Sequence, residues 1–220
     1  MDCEVFDLGL TDYENSWQFQ KEILLKVKSG LYPFALIFCR HYPVITLGRL
    51  AKKDNILVTD DELKTKGIKV LEIERGGEVT YHGPGQLTVY PIFNFKYLKK
   101  DIHWFLRELE RTIILSLADF GLRARQRPGL TGVWMDEGKI ASIGIAVKSW
   151  ISFHGLSINI KDNDLDNFRL IRPCGMDIKM VSMENAAGKT IQINDVKEAL
   201  LDKFSQAPGP DRYWASVNYC

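Results

Sequence analysis

The segment Arg75-Gly-Gly-Glu-Val-Thr-Tyr-His-Gly-Pro-Gly-Gln86 sets an arginine, a glutamate, a tyrosine and a histidine among four glycines and a proline. Glycine admits positive φ and lets a ligand reach the backbone with no Cβ in the way. A plain turn needs glycine, but not this collection of hydrogen-bonding side chains. The segment is therefore read as a loop that wraps around a ligand. Two further stretches carry chemically useful groups. Cys174 stands in Arg172-Pro-Cys-Gly-Met176, a constrained turn able to present a thiol. A nearby cation would favour the reactive thiolate, whereas a small buried hydrophobe is the common alternative for a free cysteine. Lys139 opens the apolar run Lys139-Ile-Ala-Ser-Ile-Gly-Ile145. A lysine buried there loses basicity and becomes a proton acceptor near neutral pH, while an exposed one is merely solvated.

His154, in Phe153-His-Gly-Leu-Ser-Ile-Asn159, and His82 are each able to pair with Cys174, but both are read first as structural or ligand-positioning residues. His41 and His103 read as ordinary surface or helix-start residues. The four cysteines, at 3, 39, 174 and 220, form no C-x-x-C pair and have no histidine at zinc spacing, so no metal is expected. Cys3, Cys39 and Cys220 read as small buried apolar residues, Cys39 within a strand-like run and the other two near frayed ends.

Several elements must position these groups. Asp12 to Lys28 reads as an amphipathic helix ended by Gly30, with Trp17, Ile23, Leu24 and Val27 on one face. Leu31 to Cys39 and Val44 to Gly48 read as strands, as do Ile68 to Ile73 and Leu87 to Phe93, which flank the glycine-rich loop. Asp101 caps a second helix with the stripe Ile102, Phe105, Leu106, Leu109, Ile113 and Leu117, closed by Gly121. Gly132 to Met135 and Lys139 to Val147 form a hairpin about Asp136-Glu-Gly138, and Ile151 to Ile160 is a further strand. A third helix opens near Asn194 or Asp195, and Gln206 to Pro210 is a loop before a short aromatic tail. Strands and helices do not alternate strictly, which favours an α+β sandwich over a doubly wound sheet.

With 220 residues, 45% hydrophobic and 26% charged, the chain fits one domain spanning 1–220. Its net charge of +1, from 29 basic and 28 acidic residues, offers no field for nucleic acid. No apolar run approaches the ~20 residues of a membrane span. The N-terminus lacks a secretory or transit pattern, so a cytoplasmic protein with free thiols is expected.

Taken together, the blocks Pro43-Val-Ile-Thr-Leu-Gly-Arg49, Arg75 to Gln86, Gly132-Val-Trp134, Lys139 to Gly144, His154 to Asn159 and Pro173-Cys-Gly175 resemble the lipoyl(octanoyl) transferases. The resemblance implies a mixed central β-sheet flanked by helices, shared with biotin and lipoate protein ligases. It implies Cys174 as the acyl-thioester nucleophile and Lys139 as its partner. It also implies a substrate surface made of Arg75, Gly76, Gly77, Glu78, Val79, Thr80, Tyr81 and His82, with Ser142, Ile143 and Gly144 and with Gly155, Leu156 and Ser157. On that basis Gly76, Gly77 and Gly144 leave room for an acyl chain, and Tyr81 and His82 line or close its tunnel.

The implied donor is octanoyl-acyl carrier protein. The implied acceptors are lipoyl-domain proteins such as 2-oxoacid dehydrogenase E2 subunits and the glycine cleavage H protein, with no cofactor, nucleic acid or membrane. Backbone N–H groups near Gly175 or the glycine-rich loop would hold the oxyanion, each worth roughly 3 kcal/mol. Two rivals are an ATP-dependent lipoate or biotin protein ligase of the same fold, and a non-catalytic module that binds acylated proteins.

Overall fold

The computed structural model describes residues 2–172, 178–206 and 216–219. Eleven strands and five α-helices run in the order β1 (Asp2–Thr11), α1 (Tyr13–Ser29), β2 (Phe34–His41), β3 (Val44–Leu47), α2 (Asp60–Thr65), β4 (Lys69–Glu72), β5 (Val79–His82), β6 (Gln86–Phe93), α3 (Ile102–Ala118), β7 (Arg125–Arg127), β8 (Leu130–Trp134), β9 (Lys139–Lys148), β10 (Ile151–Asn159), α4 (Met183–Ala187), α5 (Ile193–Gln206) and β11 (Ser216–Tyr219). Eight strands form a mixed sheet in the order β11-β1-β2-β6-β10-β9-β8-β7, and β4-β3-β5 form a small second sheet. β1 lies parallel to both β11 and β2, and every other pairing in the large sheet is antiparallel.

Helices cover both faces of the large sheet, which explains the unbroken apolar run of β2. Side chains alternate across a strand. Thus Phe34, Leu36 and Phe38 pack with Phe105, Leu109 and Ile113 of α3 and Leu200 and Phe204 of α5. Ala35, Ile37 and Cys39 pack on the other face with Ile23, Leu24 and Val27 of α1. A strand buried on both faces has no polar side to show. The caps of α1 and α3 behave as their sequences demand. Gly30 ends α1 in the left-handed region at φ 85, returning its N–H to the Lys26 and Val27 carbonyls. Asp101 accepts the Trp104 N–H at the start of α3.

The central mixed sheet flanked by helices agrees with the α+β expectation. Several features depart from the sequence reading, among them the short helices α2 and α4 and the strand β7, which it does not include. β1 is an inner strand where a frayed end was expected, and Cys3 on it is the buried apolar residue that the sequence suggested. Val79–His82, read as loop, is a buried strand inside the glycine-rich segment. His41 is 0% exposed, not a surface residue. Among the described residues, no helix is long and apolar enough to cross a membrane.

Candidate active site

The glycine-rich segment reaches its place by backbone contact. Gly76 N–H donates to the Ile145 carbonyl of β9 at 2.8 Å, and Gly48, Arg49 and Leu50 donate to the carbonyls of Glu78, Arg75 and Gly77. A Cβ on Gly144 would lie 2.8 Å from the Gly76 carbonyl, so glycine is required where loop and strand cross. Arg75 locks the crossing. Its Nη2 donates to the Thr46 carbonyl at 2.7 Å and to Thr46 Oγ1 at 2.9 Å, and its Nη1 donates to the Gly76 carbonyl at 3.0 Å.

Beneath this crossing lies a cavity of about 330 Å³. That volume is at the lower end of the ~300–1,000 Å³ usual for small-molecule sites. Arg75, Gly77, Glu78, Val79, Thr80 and His82 line one side, and Lys139, Ser142, Ile143 and Gly144 of β9 with Gly155, Leu156 and Ser157 of β10 line another. The two sequence blocks on β9 and β10 turn out to be cross-strand partners: Ser142 faces Ser157, Ile143 faces Leu156 and Gly144 faces Gly155.

Two expected members do not line it. Strand alternation turns Tyr81 to the opposite side of β5, where it packs edge-on against Phe168 and its hydroxyl accepts from Asn167 at 2.9 Å. Gly76 spends its N–H and carbonyl on Ile145 and Arg75, serving the crossing rather than making room for a chain. Cys174 lies outside the described residues, as does Cys220. The described residues that flank the Cys174 segment are tied in place. Asn55 Nδ2 donates to the Arg172 carbonyl at 3.0 Å and to Glu78 Oε2 at 2.9 Å. Lys139 exchanges backbone bonds with the Lys179 carbonyl and the Val181 N–H.

A polar network that the sequence did not announce closes the cavity from the side of α1. Tyr13, Thr88, Tyr90 and His154 all line it. His154 sits in β10 at φ 55, a left-handed conformation that a non-glycine residue seldom holds. One face of α1 stabilises it. Gln20 Oε1 accepts the His154 N–H at 2.8 Å, the Tyr13 hydroxyl is 3.3 Å from Nδ1, and Trp17 donates to Glu74, whose Oε2 is 3.5 Å from Nε2. Burial lowers the His154 pKa, with Glu74 opposing, so the ring is neutral at pH 7. Nδ1 faces the Tyr13 hydroxyl, and Nε2 faces Glu74 without a hydrogen bond of good geometry among the described residues. That contact holds the Glu74 carboxyl down to about 2.

His41 Nδ1 donates to the Thr11 carbonyl at 3.2 Å, leaving Nε2 to accept from the Tyr90 hydroxyl at 2.7 Å. His82 stacks on Tyr13 and is held neutral by burial, then by the charges of its neighbours. Its Nδ1 and the Thr88 hydroxyl are buried in the cavity wall without a partner among the described residues. Among the described residues, no group of three or more His, Cys, Asp or Glu is placed to hold a metal.

A family model described as the lipoyl protein ligase A/B catalytic domain matches residues 12–205. Relatives named octanoyltransferase include one from Thermoanaerobacter sp. (strain X514), 42% identical over 94% of this chain and 90% of its own. Another, from Geobacter metallireducens, is 38% identical over 90% of each chain. The chain belongs to the octanoyltransferases of the lipoyl protein ligase A/B family. It is therefore an acyltransferase enzyme. The fold agrees. A lipoate-protein ligase A bound with ATP superposes with a TM-score of 0.76 at 19% identity, covering 94% of this chain and 85% of that one. The biotin protein ligase of Aquifex aeolicus gives 0.53 at 11% identity over 93% and 68%.

For this octanoyltransferase the buried imidazoles have a consequence for stability. The folded pKa of His41 is lowered by burial from 6.5 to about 4. The unfolded chain therefore takes up the proton first as pH falls. Stability is complete above the ordinary value and is lost between about pH 6.5 and 4, on the order of 3 kcal/mol from this ring. His41→Gln should flatten the fall of Tm over that window. An unaltered slope in the variant would assign the pH dependence to His82 and His154.

Proposed function

We propose that the enzyme moves an octanoyl group from octanoyl-acyl carrier protein to the acceptor lysine of lipoyl-domain proteins, through a thioester on Cys174 with Lys139 as proton carrier. Residues 1–220 then act as one catalytic domain, and the free thiols of Cys3 and Cys39 suit a cytoplasmic reaction. The observation that carries the reading is the cavity. The glycine-rich loop and the β9–β10 pair enclose it together with Lys139. Asn55 and Lys139 tie the described residues that flank Cys174 to the same walls.

In the first half-reaction Lys139 takes the Cys174 proton, and the thiolate attacks the carrier thioester. The departing pantetheine thiol recovers that proton from Lys139, so one thioester replaces another and no ATP is consumed. The acceptor amine, with a free pKa near ~10.4, must shed a proton to attack. That first proton goes to solvent; Lys139 accepts the second, released as the neutral amine adds, so that an amide forms and the Cys174 thiolate leaves. Burial of the acyl tail contributes about 0.8 kcal/mol per methylene, enough to anchor an eight-carbon chain. Apolar Ile143 and Leu156 in the cavity wall suit that tail.

Intact-protein mass measured after incubation with octanoyl-acyl carrier protein should show one octanoyl adduct that hydroxylamine removes. No adduct, with adenylate formed from free lipoate and ATP instead, would turn the reading to the ligase. Carrier or acceptor binding without either product would leave a binding module.

A further inference from the structure

We propose that Trp134, Gly132 and the buried carboxylate of Glu110 form a platform that positions the Lys139 ammonium, which makes Trp134 and Glu110 positioning residues of the transfer. The inference rests on the role given to Lys139 above. A register shift between Val133 and Trp134 sets Trp134 directly opposite Lys139 across the β8–β9 pair. Opposite residues share a face of the sheet, and a bulge re-aims side chains in this way. Both are buried, Lys139 at 5% and Trp134 at 3% exposure. Lys139 Nζ stands 5.4 Å from the centre of the indole, and the Arg127 guanidinium stands 4.3 Å from the same ring. An ammonium within ~6 Å of an aromatic face is attracted by the ring quadrupole, and the attraction grows when water is excluded.

Gly132 supplies the slot for the lysine stem. Its φ is +126, and a Cβ there would lie 2.5 Å from Lys139 Cε and 3.1 Å from Nζ. Conformation and space both demand glycine. The support comes from α3. Glu110, 0% exposed on a helix face that is otherwise mostly apolar, accepts the Gly132 N–H on Oε1 at 3.0 Å. Its Oε2 accepts from Arg107 Nη1 at 2.6 Å. A carboxylate taken fully out of water is costly unless its oxygens are satisfied. Here one oxygen holds the backbone position over which the lysine lies, and Arg107 satisfies the other. The indole makes the same point from the other side. Its Nε1–H is buried without a partner among the described residues, so the position retains the ring face and forgoes a hydrogen bond.

The full-length enzyme tests this with four variants: Trp134→Leu, Trp134→Phe, Glu110→Leu and Glu110→Gln. Octanoyl transfer is followed against pH, alkylation of Cys174 by iodoacetamide is followed against pH at the peptide level, and thermal unfolding reports folding. Trp134→Leu and Glu110→Leu should lose on the order of 10–100-fold in transfer, the cost of a misplaced reacting group. Both should also move the alkylation midpoint to higher pH. Trp134→Phe, which keeps a ring face, and Glu110→Gln, which keeps the acceptor for Gly132, should recover most of both. Folded leucine variants with the parent pH profile overturn the inference. Should Glu110→Leu fail to fold, the Trp134 pair decides it alone. A Lys139→Ala enzyme with unchanged transfer and alkylation would instead indict the lysine assignment, a result distinguishable from failure of the platform.

Discussion

Cys174→Ala should abolish both the octanoyl adduct and transfer to a lipoyl domain, lowering turnover by roughly four orders of magnitude or more, as removal of an enzymic nucleophile does. The reason lies in the acceptor. A protonated lysine cannot attack, and direct attack from solution on the carrier thioester would forgo both the held acyl chain and the nearby proton acceptor. Turnover measured with purified variant, carrier and acceptor settles it. Substantial residual transfer without adduct would mean that the acyl group passes directly between the two proteins and that the thiol is incidental.

Lys139→Ala is expected to cost 10²–10⁴-fold, the usual worth of a positioned acid–base group. It should also raise the pH at which Cys174 is alkylated, because the thiolate loses its nearest proposed cation. The substitution empties a buried site that Trp134 and Gly132 shape, so Lys139→Met, similar in length and without charge, separates lost packing from lost chemistry. If the Met enzyme transfers at the parent rate, Lys139 fills space and some other group moves the protons.

The parts of the fold read correctly from sequence were those with local physical signatures. The α1 stripe, most of the α3 stripe and the caps Gly30 and Asp101 are set within one helix, and the turn at Asp136 to Gly138 within one hairpin. Ile102, by contrast, is exposed, and α3 ends at Asp119 before Gly121. What escaped the sequence depends on partners far along the chain. β1 carries Glu4, Asp7 and a left-handed Gly9, which disguise a strand that becomes inner only because β11 and β2 flank it. α2 carries a local signal, the capping box of Thr59 and Glu62, but with Leu63 as its one buried residue it has no apolar stripe to mark it. In the site, the glycine-rich loop and the two strand blocks were legible as clusters of residue types. Tyr13, Tyr90 and His41 were not, because α1, β6 and β2 each contribute one group to the network and no spacing links them. Tyr81 lies off the cavity wall because β5 is a strand, which imposes alternation, where the sequence reads as a loop.

The facing glycines of β9 and β10 bear on how this enzyme's acyl preference can be redesigned. Gly144 is pressed by the Gly76 carbonyl, and a Cβ on Gly155 would run into the backbone of β6. Neither position can be enlarged to shorten the accepted chain, and neither has a side chain to trim for a longer one. With the acyl chain in this cavity, as proposed, evolution or engineering of chain-length preference would act through the side-chain-bearing wall, chiefly Ile143, Leu156 and Leu130, while the glycine seam stays fixed.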